Sequence, residues 1–273
     1  MRFYIWVLLT SLCLLSGCEN EEENTQGNGD FRQEVLFSLS PVTYATDTRF
    51  EEGDLIGIYA VKRGTDMKAS GNYADNKKFR FEGGTVIPFT DRDKIYFMQD
   101  ESLDFYAYHP YKDKIEDATG IHFTVSEDQS EKQILSDLLW ASNKTAVAGK
   151  PVPLNFIHKL SLVQVKFNSA SGKQPASARI YGISPSLSLN LQSGIAFTTN
   201  QKKQSNKMSL YEKDGDSYTY RWLMPEQQIN KGDSLFSFEV GTDKRVFKAV
   251  EDIVLKAGIK NPFECAFDTD RSR

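Results

Sequence analysis

The chain has 273 residues, with 33 Lys and Arg against 37 Asp and Glu and a formal net charge of −4 at pH 7. A weakly acidic body without a basic cluster excludes nucleic acid as the partner, because neutralising phosphates takes concentrated Lys and Arg; the nearest candidate, Lys202-Lys203 with Lys207, reads as a solvated loop. With 3 Trp, 12 Tyr and 18 Phe, the chain can build the core of one or two domains without disulfides.

Residues 1–17 have the parts of an export signal: Arg2, an apolar run over 3–15, and small Ser16 and Gly17 before Cys18. The run is shorter than the roughly 20 apolar residues a membrane helix needs, and the sequence turns acidic straight after it. Leu14-Leu15-Ser16-Gly17-Cys18 resembles the lipobox of bacterial lipoproteins. The resemblance implies cleavage before Cys18, diacylglycerol and palmitate on that residue, and anchorage in the outer membrane after passage through the periplasm. Residues 18–30, acidic at Glu19, Glu21, Glu22 and Glu23 and then rich in Gly, Asn and Gln, cannot bury surface and read as a flexible tether. The acidic stretch is similar to the surface-export signal of lipoproteins from Gram-negative anaerobes; it reads equally well as a solvated spacer.

Beyond the tether, short runs of period-two alternation separated by Gly, Asp, Asn and Pro predict half-buried strands. The candidates in chain order are 34–39, 55–61, 94–98, 103–108, 121–125, 163–167, 180–183, 218–223, 236–240, 246–250 and 253–255. A helical pattern occurs once, over 129–141, where Ile134, Leu135, Leu138 and Leu139 share a face. Residues 143–153, rich in Ala, Gly, Lys and Pro, mark a domain boundary, so the expected organisation is 31–150 and 151–273. Gly53-Asp54 and Gly232-Asp233 both open apolar strands, an echo between the halves or a coincidence of a common turn. Many short strands mean an all-β sandwich or barrel architecture.

Chemistry-bearing patterns are scarce. His122 sits on the polar parity of its strand, His109 precedes Pro110 at a strand end, and His158 opens a strand; no His pair has metal-ligand spacing. Asp91-Arg92-Asp93 and Asp214-Gly215-Asp216 lack the spacing of a calcium loop and read as hairpin turns. Cys13 leaves with the signal and Cys18 takes lipid, which strands Cys265; its parity with Phe263 and Phe267 predicts a buried thiol. The expectation is therefore a protein that is not an enzyme, with no metal and no cofactor.

From Arg49-Phe50-Glu51-Glu52-Gly53-Asp54-Leu55-Ile56-Gly57 onward the chain resembles the fimbrillin-like lipoproteins of Gram-negative anaerobes. The likeness continues at Phe105-Tyr106-Ala107-Tyr108-His109-Pro110-Tyr111, at Asp137-Leu138-Leu139-Trp140-Ala141, at Phe156-Ile157-His158-Lys159-Leu160-Ser161 and at Leu255-Lys256-Ala257-Gly258. It implies two tandem Greek-key, transthyretin-like β-sandwich domains and a role as a subunit of cell-surface pili. In many such stalk subunits a trypsin-like protease removes the first strand, and a partner's strand fills the groove. Carried onto this chain, the first strand is 34–39, the following loop is 40–48, and Arg49 is the candidate processing site, against an ordinary loop arginine. The implied partners are other pilus subunits, by β-strand complementation, and a host or bacterial surface receptor. Many family members continue with a further strand where residues 268–273 are polar and charged, so a tip, accessory or anchoring role stands beside a stalk role. The competing reading is a lipid-anchored glycan-binding module in which Tyr106 and Tyr108 stack on sugars.

Overall fold

The computed structural model describes residues 31–39, 49–127, 129, 137–169, 171–199 and 205–267. These belong to one unit, Phe31–Arg273. They form strands with a single short 3-10 turn at Asp91–Asp93, so the protein is all-β, as the alternation predicts. The first eleven strands are β1 (Arg32–Glu34), β2 (Phe37–Leu39), β3 (Leu55–Lys62), β4 (Ala74–Glu82), β5 (Thr85–Pro88), β6 (Tyr96–Met98), β7 (Leu103–His109), β8 (Ile121–Thr124), β9 (Leu139–Asn143), β10 (Val152–Leu154) and β11 (Ile157–His158). The remaining twelve are β12 (Leu160–Ser169), β13 (Ser177–Tyr181), β14 (Ser186–Leu189), β15 (Ala196–Thr198), β16 (Ser205–Lys207), β17 (Ser209–Asp214), β18 (Ser217–Pro225), β19 (Gln227–Ile229), β20 (Ser234–Val240), β21 (Asp243–Lys248), β22 (Ile253–Leu255) and β23 (Lys260–Phe267).

An eight-stranded sheet runs in the order β10-β2-β5-β4-β3-β7-β9-β11, and β1 pairs with β6 beside it. Two four-stranded sheets, β17-β18-β12-β23 and β16-β13-β20-β21, hold most of the later strands. A three-stranded sheet, β15-β14-β8, joins an early strand to two late ones: Ile121 to Thr124 lie opposite Leu189 to Ser186.

The middle of the large sheet is covered on both faces. Along β3, Ile56, Ile58 and Ala60 enter one apolar cluster while Tyr59 and Val61 enter the other. β7 does the same, with Phe105 and Ala107 on one side and Tyr106 and Tyr108 on the other, and all seven of its residues are buried. A strand buried on both faces reads as a continuous apolar run rather than an alternating one. Of the two polar residues in β7, Asp104 is held by the Arg63 Nε donor at 2.9 Å, and the same guanidinium donates to the carbonyls of Leu103 and Ala146.

The helical expectation fails where the structure describes it. Residues 128 and 130–136 lie outside the described residues, but Leu139–Asn143 is strand β9, with Leu139, Ala141 and Asn143 buried in period two. Pairing with β7, Leu139 opposite His109 and Ala141 opposite Ala107, overrides a local pattern that four leucines and isoleucines produce in either conformation. The turn at 91–93 is another difference. It links β5 to β6, which do not pair, and is closed by Thr90 donating to the Asp93 carboxylate, whereas Gly215 and Asp216 do turn the β17–β18 hairpin.

Gly57 shows why a glycine is required inside β3. It lies opposite Tyr108, whose ring covers it, and a Cβ there would overlap the ring. The Tyr108 hydroxyl is fixed by donating to Asn76 Oδ1 at 2.8 Å and accepting from the Lys112 N–H at 3.2 Å, so the ring cannot swing away without losing both bonds. Gly57→Ala is therefore expected to destabilise the protein by about 1–3 kcal/mol through overpacking, read as a lowered midpoint in urea. An unchanged midpoint would show that the ring does not sit on Gly57.

Candidate functional site

The first strand is the unusual element of the fold. A segment at the start of the body normally pairs at a sheet edge, but β2 lies inside the eight-stranded sheet, between β5 and β10. It runs antiparallel to β5, with Phe37 opposite Val86, and parallel to β10, with Val152, Pro153 and Leu154 opposite Phe37, Ser38 and Leu39. Ahead of it, β1 lies antiparallel to β6, and the Val35 N–H donates to the Ile95 carbonyl at 2.8 Å. On the other side the Val152 N–H donates to the Leu36 carbonyl at 2.8 Å. The segment thus stitches together strands that do not otherwise pair.

Its side chains alternate. Val35 and Phe37 are buried, Leu39 packs against the same cluster from a half-buried position, and Leu36 is 59% exposed. The Phe37 ring meets Phe79 and Phe105 edge to face, at centroid distances of 5.2 and 5.3 Å. Burial of Val35 and Phe37 stabilises the seated segment by about 1.5–3 kcal/mol each. Its departure would leave an apolar slot and would orphan backbone groups of β5 and β10, each costing about 1–3 kcal/mol if no partner replaced them. Among the described residues β10 pairs with no other strand; β9 beside it reaches it through the Asn143 side-chain amide, which donates to the Pro153 carbonyl at 2.9 Å.

The structure sorts the sequence candidates. Cys18 lies outside the described residues, as do 40–48, Lys202 and Lys203. Arg49 is exposed, and Phe50 after it is half-buried against Phe156, His109 and Phe81, with centroids 5.1, 5.3 and 5.8 Å away. That anchor is signalled in the sequence only by an aromatic residue three places before the Gly53-Asp54 turn. Tyr106 and Tyr108 are each 1% exposed, so the sugar-stacking role expected for them is overturned: both belong to the core face of a two-sided strand. Burial raises the pKa of both.

The histidines divide. His122 is exposed, as its parity predicts. His109 is buried, its Nδ1 2.9 Å from the Leu55 carbonyl, and is followed by a cis bond to Pro110. His158 is buried with its Nδ1 2.8 Å from Asp137 Oδ2, a contact between a strand and the segment before β9 that period-two reading had no means of finding. Among the described residues no group of three His, Cys, Asp or Glu is placed to hold a metal ion. Cys265 is buried, and burial pushes its pKa up to about 12.

The body is thus all-β, with an interior strand contributed by its own leading segment. The model of the fimbrillin-like family matches residues 43–272, and the chain belongs to that family. It is 31% identical over 188 residues to a Bacteroides uniformis protein named as a fimbrium subunit, Fim1C, covering 66% of this chain and 59% of that protein. It is 26% identical over 250 residues to a Bacteroides ovatus protein named as a fimbrium tip subunit, also Fim1C, covering 79% of this chain and 44% of the relative. The chain thus spans only about half the length of these curated relatives. Crystal structures titled as cell adhesion proteins share the fold. One from B. uniformis has a TM-score of 0.67 at 19% identity over 86% of this chain and 93% of its own. One from B. ovatus has a TM-score of 0.68 at 18% identity over 88% and 94%.

Two measurements check the site. Phe37→Ala in the intact chain is expected to cost about 3–5 kcal/mol in urea unfolding, against less than about 0.5 kcal/mol for the exposed Leu36→Ala. Equal effects would mean that the alternation across this segment is wrong. Cys265 is expected to react with a thiol reagent at pH 8 at least about tenfold more slowly in the native protein than in urea, since the thiolate is the nucleophile.

Proposed function

We propose that the chain is a cell-surface fimbrial subunit, in a stalk, tip or accessory position, that assembles and adheres by exchanging its first strand. The observation that carries this reading is the interior position of β2 between β5 and β10, immediately ahead of residues 40–48 and Arg49. A strand held on both sides and joined to the body through that segment can be released by one cut. The released slot offers unpaired backbone groups beside an apolar floor, and an added strand satisfies both. Family membership and the names of the two relatives support the same reading.

On this reading the Cys18 lipid holds the precursor at the outer membrane, and cleavage after Arg49 separates the lipidated tether and first strand from the body. Phe50, packed on Phe81, His109 and Phe156, then fixes the new N-terminus, so the cut leaves no long frayed end. The division of the body at 150/151 into two sandwiches belongs to the same proposal, with β10 and β11 crossing that boundary to complete the earlier sheet. Catalysis plays no part in it; the work is done by backbone pairing.

Limited digestion of the purified precursor with trypsin is expected to yield a body that begins at Phe50, and Arg49→Ala to remove that product. An Arg49–Phe50 bond that survives digestion of the unaltered protein would falsify the processing step. In cells, Cys18→Ser should abolish incorporation of labelled palmitate, and deletion of the protein should shorten or remove filaments in electron micrographs; unaltered filaments would rule out the subunit role.

A further inference from the structure

The channel that holds the first strand recognises charge and direction as well as apolar bulk. At its leading end the Arg32 guanidinium lies over the Tyr96 ring, 3.7 Å from the centroid. Two residues on, Glu34 Oε2 is 3.4 Å from Lys94 Nζ, an ammonium that also meets Asp91 Oδ1 at 3.1 Å. The next inward positions are purely apolar: Val35, then Phe37 between Phe79 and Phe105. Charge-recognising groups therefore line one end of the channel and aromatic rings line the other. Register adds direction, because the occupant runs antiparallel to β6 and β5 and parallel to β10.

We propose that the segment replacing the first strand is an extended stretch of a partner subunit with a defined pattern. It carries a cation at the place of Arg32, a carboxylate at Glu34, an apolar residue at Val35 and a large aromatic at Phe37, and it runs in the same direction as β2. This rests on the strand-exchange reading above. The physical reasons are specific to these residues. The Tyr96 face attracts a cation and repels a carboxylate, and Lys94 does the reverse. The slot against Phe79 and Phe105 is filled by an aromatic ring and left void by a small side chain. A segment inserted backwards keeps Val35 in place but brings Gln33 to the slot between Phe79 and Phe105, where its amide has no partner, and carries its charges away from Tyr96 and Lys94. It also exchanges the parallel and antiparallel ladders, whose hydrogen-bond spacings differ.

The test uses the full-length chain with a specific protease site placed within residues 40–48, nicked there, so that exchange is measured whether or not Arg49 is the natural cut. Labelled nine-residue peptides compete for the channel and are followed by fluorescence anisotropy. One has the sequence of residues 31–39, one carries Phe37→Ala, one carries Arg32→Glu with Glu34→Arg, and one is the same sequence written backwards. The unaltered peptide is expected to enter; Phe37→Ala should bind at least about tenfold more weakly. The charge exchange should weaken binding a few-fold at low salt and less at high salt, and the reversed peptide should not compete. Equal uptake of all four overturns the proposed pattern while leaving strand exchange intact. Failure of the unaltered peptide to enter a nicked, folded chain overturns strand exchange and the pattern together.

Discussion

Backbone pairing on both sides of one short strand is the interaction on which the rest of this structure depends. β2 contributes three residues to the eight-stranded sheet, yet without it β10 has no paired strand among the described residues and the β5 edge is open. An edge strand can be lost with little consequence for the sheet behind it. An interior strand cannot, because its removal exposes two rows of donors and acceptors and the side-chain slot between them. The proposed strand exchange rests on this geometry.

The proposed release of this strand rests on how it is connected. The segment is joined to the body only through residues 40–48, and the body resumes at Arg49 with Phe50 packed against three rings. Phe50 meets Phe81, His109 and Phe156, whereas Phe37 meets Phe79 and Phe105; both anchor to one continuous apolar cluster through different rings. The two anchors lie on opposite sides of the segment that a protease would cut.

The centre of the large sheet follows a different logic. β3 and β7 have apolar neighbours on both faces, so their sequences lose the alternation that marks a half-buried strand. That is why Tyr106 and Tyr108 looked available for stacking on a ligand. Alternation assigns a residue to one of two faces but does not say whether the second face is covered. Here it is covered by strands and loops from more than 50 residues further along the chain, as with the Trp140 indole donating to the Leu191 carbonyl at 2.7 Å. β4 was unreadable for the opposite reason. Its Lys77, Lys78 and Arg80 give it the composition of a loop, yet Lys78 lies over the Phe89 ring at 4.3 Å and Arg80 pairs with Glu82, so the charged face is organised rather than merely solvated.

By itself the sequence determined the all-β class, most of the strands with clean alternation, the buried thiol of Cys265 and the exposed face of His122, since each depends on the identity and parity of residues a few places apart. It also marked residues 34–39 as one strand, which the structure divides between the end of β1 and β2, and Arg49 as the basic residue that follows the loop. Only the tertiary structure decided that this strand is interior, that β9 is a strand rather than a helix, and that His158 meets Asp137. These depend on which distant segments arrive beside them. A period of two specifies that a strand has two faces and two edges, but the partners of each are chosen by the packing of the whole chain.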